Sequence, residues 1–142
     1  MAEDIIQPAI ELLVVVSAQT TLVGTVIGAP LGDRMIFDVT GGTFAGPQLS
    51  GQVLATGGDW VTRTTTGSHI NVRLLLETHD GITLLLQYTG RACQDGGNLR
   101  LDVAGTFEAP QDSAYGWLND VQAFGRGVLT ADGVTYHFYR FK

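Results

Sequence analysis

The sequence is poor in cysteine, lysine and proline, and it carries little charge of either sign. Cys93 is the single cysteine, so no internal disulfide can form and the fold does not depend on an oxidising compartment. Lys142 is the only lysine, the arginines are scattered, and the net charge is −6. The clustered cations that a phosphate backbone requires are missing, so no nucleic-acid partner is expected. An acidic surface of this kind favours solubility. Long apolar runs are also absent. The run at residues 12–16 follows Glu11, has no basic segment before it, and is far too short to span a bilayer. Neither a membrane segment nor a secretory leader is expected, and the cytoplasm is the expected compartment.

What the chain does contain is glycine between short apolar blocks. A chain of 142 residues, 44% hydrophobic, is long enough to bury one continuous core, and its 19 glycines fall where turns would separate strands. β-rich blocks lie at residues 10–16, 20–27, 34–40, 49–55, 59–65, 69–78, 82–89, 99–108, 122–130 and 134–141. Gly41-Gly42 stops the third block, and Thr56-Gly57-Gly58 divides the fourth from the fifth. Asp80-Gly81 and Asp132-Gly133 are hairpin signals. Even spacing of some eight to ten strands predicts an all-β sandwich or barrel, with one helical turn around residues 114–120. No linker or repeat divides the chain, so residues 1–142 are expected to form one domain, with residues 1–9 a flexible N-terminus.

Side chains two apart on a strand share a face. Within residues 71–77, Asn71, Arg73, Leu75 and Glu77 form a mixed polar row against Val72, Leu74 and Leu76. Alternation separates the two rows without saying which one faces inward. Residues 82–86 are apolar on both faces apart from Thr83. An apolar outer face on a barrel without covering helices predicts a subunit interface, and hence a homo-oligomer, a dimer being the simplest.

Gly41-Gly42-Thr43-Phe44-Ala45-Gly46-Pro47 and Tyr115-Gly116-Trp117-Leu118-Asn119 together resemble the β-barrel family designated domain of unknown function 3237 (DUF3237). The same pattern continues through residues 49–54, Gly58-Asp59-Trp60, Asp80-Gly81 and Phe107-Glu108. The resemblance implies a single closed or nearly closed antiparallel barrel of about eight strands, of lipocalin-like or allene-oxide-cyclase-like shape. It implies little chemistry. Arg73 follows the family pattern, but Asn71, Leu74, Tyr88 and Asp102 stand where the family usually has aspartate, tyrosine, asparagine and arginine. Residues 91–98 are shorter than the family's usual insertion. The resemblance, with these departures, implies a divergent member with a remodelled lumen.

The candidate site follows from the scarcity of ionisable residues on the strands. Asp59 and Glu108 are candidate acid–base groups, and Arg73 is a candidate stabiliser of a developing oxyanion. A charged group on an inward face needs a partner, so these three are expected to converge on one cavity. Trp60 and Trp117 would wall it, and Asn71, Glu77, Tyr88, Tyr115 and Asn119 would contact a ligand. The competing readings are structural. Asp59 could close a turn and Trp60 fill the core, Tyr115, Trp117 and Asn119 could plug one barrel end, and Arg73 could head a solvent-facing row.

His69, His79 and His137 lack metal-ligand spacing, no Gly-x-Ser-x-Gly elbow is present, and the glycine pairs lack a phosphate-loop context. Neither metal nor cofactor is expected. The leading expectation is therefore an enzyme performing cofactor-independent proton transfer (isomerase, lyase or cyclase) on a small apolar or aromatic molecule. The alternatives are a lipocalin-like carrier and a structural subunit with a filled lumen. A shifted carboxylate in the lumen favours the enzyme. An outward Arg73 leaves an apolar lumen built from Val72, Leu74 and Leu76, which favours the carrier.

Overall fold

The computed structural model describes residues 6–142. Eight antiparallel strands follow one another in chain order and close into a barrel: β1 Ile10–Ala29, β2 Gly32–Ala45, β3 Ser50–Thr64, β4 Gly67–Thr78, β5 Thr83–Asp95, β6 Asn98–Glu108, β7 Gln122–Leu129 and β8 Gly133–Phe141. A 3-10 helix, Gly116–Asp120, lies within the predicted helical turn. The N-terminal expectation concerns residues 1–9, of which residues 1–5 lie outside the described residues. No helix among the described residues is long and apolar enough to cross a membrane.

Two pairs of predicted strands are single strands. Residues 10–16 and 20–27 are one strand because the polar stretch between them stays in the ladder, where the Ser17 and Thr135 hydroxyls lie 2.9 Å apart. Residues 49–55 and 59–65 also join, across a bulge where the β3–β4 register shifts between Val53 and Gly57. Gly41-Gly42 does not stop β2 either. A Cβ on Gly42 would lie 2.0 Å from the Ser17 carbonyl oxygen, so glycine serves close approach of β2 to β1 inside a continuing strand.

The two barrel ends differ. Hairpins after β1, β3, β5 and β7 are short and crowd one end. At the other end the long β6–β7 connection, residues 109–121, folds across the lumen and inserts Leu118, which is fully buried. Phe44, Leu74, Leu76, Leu84, Leu86, Phe107 and Phe138 pack with Leu118 into a core that fills this half. Burying a side chain of this size contributes about 1.5–3 kcal/mol. The polar corner readings hold here. Asn119 Oδ1 accepts from the Ala109 N–H at 2.7 Å while its Nδ2 donates to the Ala109 carbonyl at 3.0 Å. The Tyr115 hydroxyl donates to Asp80 Oδ1 at 2.7 Å, and the Arg140 guanidinium sits 4.9 Å over the Trp117 ring. Hydrogen bonds from Thr78 and Tyr115 hold the Asp80 carboxyl below its usual range.

Candidate functional site

The lumen of the other half is not filled. A cavity of about 570 Å³ opens at the hairpin end, within the usual size range of small-ligand sites. Its wall is mostly apolar, with Met35, Phe37, Val61, Ile70, Leu99 and Leu101 prominent. Asp59 and Tyr136 are the polar groups deep in it, whereas Arg63 lines it with a largely exposed side chain, its Nη2 donating to Met35 Sδ at 2.9 Å.

Cross-strand register places Asp59. It stands opposite Phe37 on β2 and Val72 on β4, and directly opposed residues share a face. Val72 belongs to the buried row of β4, so Asp59 points inward with it. Among the described residues, Asp59 Oδ1 is the one enclosed side-chain oxygen or nitrogen without a hydrogen-bond partner. Burial among apolar neighbours raises the Asp59 carboxyl from 3.8 to about 6. The cause is lost hydration of the charged form, with no neighbouring cation to offset it.

Beside it stands an aromatic cluster in which Tyr136 and Phe138 stack and Tyr88 meets both edge-on. Tyr136 lies 5.0 Å from Tyr88 and 5.6 Å from Phe138 between ring centroids, and Tyr88 lies 5.2 Å from Phe138. Gly127 on β7 admits the Tyr136 ring, because a Cβ there would come within 2.5 Å of it. Desolvation first, and the Asp59 charge second, raise the Tyr136 phenol well above its ordinary value. Burial, then Tyr136 and Asp59, raise Tyr88 likewise. Both hydroxyls therefore stay protonated and able to donate across the neutral range.

Of the residues expected to converge, only Asp59 enters this cavity, and Tyr88 lies behind Tyr136. Arg73, Asn71 and Glu77 are exposed on the outer wall, because the wholly apolar row Val72–Leu74–Leu76 takes the inward face. Glu108 is also outside, accepting from Gln87 Nε2 at 3.4 Å. Trp60 neighbours Asp59 in sequence and so faces the opposite way, 59% exposed. Trp60, Asn71 and Arg73 do meet, around a depression of about 450 Å³ on the outer wall with Asp38. Trp117, Tyr115 and Asn119 belong to the plugged end. His69, His79 and His137 are exposed, and no three metal-ligating side chains come together among the described residues.

Tyr136 and Arg63 were not singled out from the sequence. Tyr136 alternates with the apolar Phe138, a signal that it shares the inward face. Arg63 is two residues beyond the inward Val61.

The sequence pattern of the family described as "Protein of unknown function (DUF3237)" matches residues 6–141. The chain belongs to this family. Among solved structures, a β-barrel-like protein from Acinetobacter baumannii AYE is 29% identical, with a TM-score of 0.83 over 96% of this chain and 98% of that one. A protein of unknown function from Rhodopseudomonas palustris is 20% identical, with a TM-score of 0.88 over 97% of this chain and 100% of the other. An enzyme from Penicillium herquei is 23% identical, with a TM-score of 0.69 over 95% of each chain, a likeness of fold alone. No curated protein matches the chain.

Proposed function

We propose that this barrel is an enzyme that moves a proton, without a cofactor, on a small apolar molecule held in the half-open lumen. The observation that carries the reading is Asp59. It is an inward carboxylate with an enclosed, unpartnered oxygen, and its pKa is raised to about 6. Proton transfer works best when the group's pKa lies near the working pH, and a buried carboxylate near 6 is a far stronger base than an ordinary one. Tyr136, a protonated phenol on the same cavity, supplies the hydrogen-bond donor that a developing enolate or phenolate oxygen needs. It takes the role that the sequence suggested for Arg73. The apolar wall selects a hydrophobic body, and the polar pair at depth selects a carbonyl or enolic oxygen beside an acidic carbon or hydroxyl. Isomerisation, elimination and ring closure all begin with that step. The solved barrel described as an enzyme adds support at the level of fold.

A carrier reading rests on two observations, the outward Arg73 and the predominance of apolar side chains in the cavity wall. Two probes separate the readings. Nile red reports binding by fluorescence, and an aryl methyl ketone such as acetonaphthone, in heavy water, reports proton abstraction by deuterium uptake beside its carbonyl. The enzyme reading expects both signals in the wild type and loss of deuterium uptake, with dye binding retained, in Asp59→Asn. Dye binding with no Asp59-dependent exchange across a panel of such ketones refutes the enzyme and leaves the carrier.

A further inference from the structure

The most exposed large apolar side chains with backbone beside a missing strand lie on β1. Pairing of β1 with β8 ends at Gln19 opposite Gly133, with one more hydrogen bond from the Thr20 N–H to the Asp132 carbonyl at 3.0 Å. Beyond that point, residues 21–29 pair only with β2, through Leu22 opposite Phe37 to Ala29 opposite Gly32. The opposite edge of this segment has no strand beside it among the described residues. Residues 21–29 thus form an arm of β1 that runs past the β7–β8 hairpin at the cavity mouth, as the free edge of a wall that continues through β2 into β3.

Three features of the arm point the same way. Leu22, Val23, Val26, Ile27 and Leu31 are 49%, 54%, 54%, 69% and 71% exposed. They occupy both faces, since Leu22 opposes the cavity-lining Phe37 while Val26 opposes Arg34, which borders an outer-wall depression. In addition, residues 12–32 contain no charged side chain, in a protein of net charge −6. Free edges are ordinarily protected by charged side chains, prolines, bulges or short length. Residues 21–29 carry no charged side chain and no proline, and the register against β2 shifts at Leu22/Gly24 and Val26/Ala29, with Asp33 Oδ1 accepting from the Gly28 N–H at 2.8 Å.

We propose that this arm is a dimerisation element, and that the free β1 edges of two copies pair antiparallel about a two-fold axis near Thr25. An antiparallel edge is complementary to itself, as an isologous contact requires. With no charged side chain in residues 21–29, the paired edges themselves add no like-charge contact between two acidic molecules. Leu22, Val23, Val26 and Ile27 flank the edge on both faces, so pairing with a second copy would cover part of each exposed side chain. By contrast Leu75 and Leu85, which oppose each other on the outer wall where residues 82–86 suggested an interface, are already half-buried.

The geometry has a consequence for the cavity. Antiparallel pairing sets the second barrel beyond the tip of the first arm, so the two mouths face each other. The free edge spans roughly 30 Å at about 3.3 Å per residue, and each partner arm then stands over the gap that β8 leaves in the other's wall. A monomer has an incomplete mouth.

Sedimentation at tens of micromolar, with X-ray scattering for shape, tests this on the wild type, on Val26→Lys/Ile27→Lys and on Leu85→Lys. The expected result is an elongated wild-type dimer, a monomeric arm variant with an unchanged circular dichroism spectrum, and a dimeric Leu85→Lys. In a Cys93→Ser background, Thr25→Cys should cross-link the two copies under mild oxidation. The cross-link decides the matter if the arm variant misfolds. A monomeric wild type, an arm variant that remains dimeric, or no cross-link from Thr25→Cys overturns the proposal.

Discussion

Replacing Asp59 by asparagine should make the protein more stable at pH 8. The native carboxyl titrates near 6, against 3.8 for an ordinary aspartate, a difference of about two units. At about 1.4 kcal/mol per unit this amounts to roughly 3 kcal/mol of penalty on the ionised native state. Water entering from the cavity mouth reduces the figure, so about 2–3 kcal/mol is expected. Asparagine matches the neutral acid in shape and leaves a similar polar group in the same place, so the substitution isolates the charge.

The direction with pH follows from where the protons bind. As pH falls, the native carboxyl takes up its proton near 6 and the unfolded one only near 3.8. Between these values the native state binds more protons, so this group adds stability as pH drops and withdraws it as pH rises through 6. The advantage of Asp59→Asn should thus be full above pH 7, shrink through the window between about 6 and 4, and be nearly gone below it. Other carboxylates titrate in both proteins and cancel in the difference. Urea unfolding of the pair at pH 8, 6 and 4 measures it, and the melting temperature at pH 8 should rise by roughly 5–10 °C for a chain of this size. A variant that is less stable at pH 8, or a difference that does not change with pH, would refute the reasoning. It would mean that the carboxylate is stabilised by its surroundings and is no stronger a base than usual.

Gly127→Ala should cost about 1–3 kcal/mol in urea unfolding, because its Cβ meets a Tyr136 ring already fixed against Tyr88 and Phe138. Arg73→Met should change unfolding free energy by no more than about 0.5 kcal/mol and leave Nile red affinity unaltered, since Arg73 stands in solvent on the outer wall.

The architecture was legible because its signals are local. Glycine-bounded blocks, the Asp80-Gly81 turn and strict alternation each report on a few neighbouring residues, and together they pointed to an all-β sandwich or barrel, the closed antiparallel barrel coming from the family resemblance. Where two predicted strands proved to be one, the reason was a ladder partner distant in the chain, such as Thr135 opposite Ser17, which no local pattern shows. The site was legible only in part for the same reason. Asp59 could be named as a rare ionisable residue on a strand. Its surroundings come from β5 and β8, which reach it only after the barrel closes. Trp60 could not have joined Asp59 in one cavity, because neighbouring strand residues point oppositely. The period-two rule that separated Arg73 from Val72 also separates Trp60 from Asp59.

One division of labour accounts for most of these placements. Loop 109–121 and the aromatic and leucine side chains behind it fill one half of the barrel, so that half can support the fold without help. The lumen of the other half is left open, and Asp59 sits at the boundary, with packed side chains on one side and the cavity on the other. A carboxylate wholly within the core would stay protonated, and one at the rim would titrate as an ordinary aspartate. At the boundary it loses enough water to become basic while keeping a face open to a ligand. The position that raises its pKa is therefore the one from which it can act on a bound molecule, and the cost in stability at neutral pH belongs to that position.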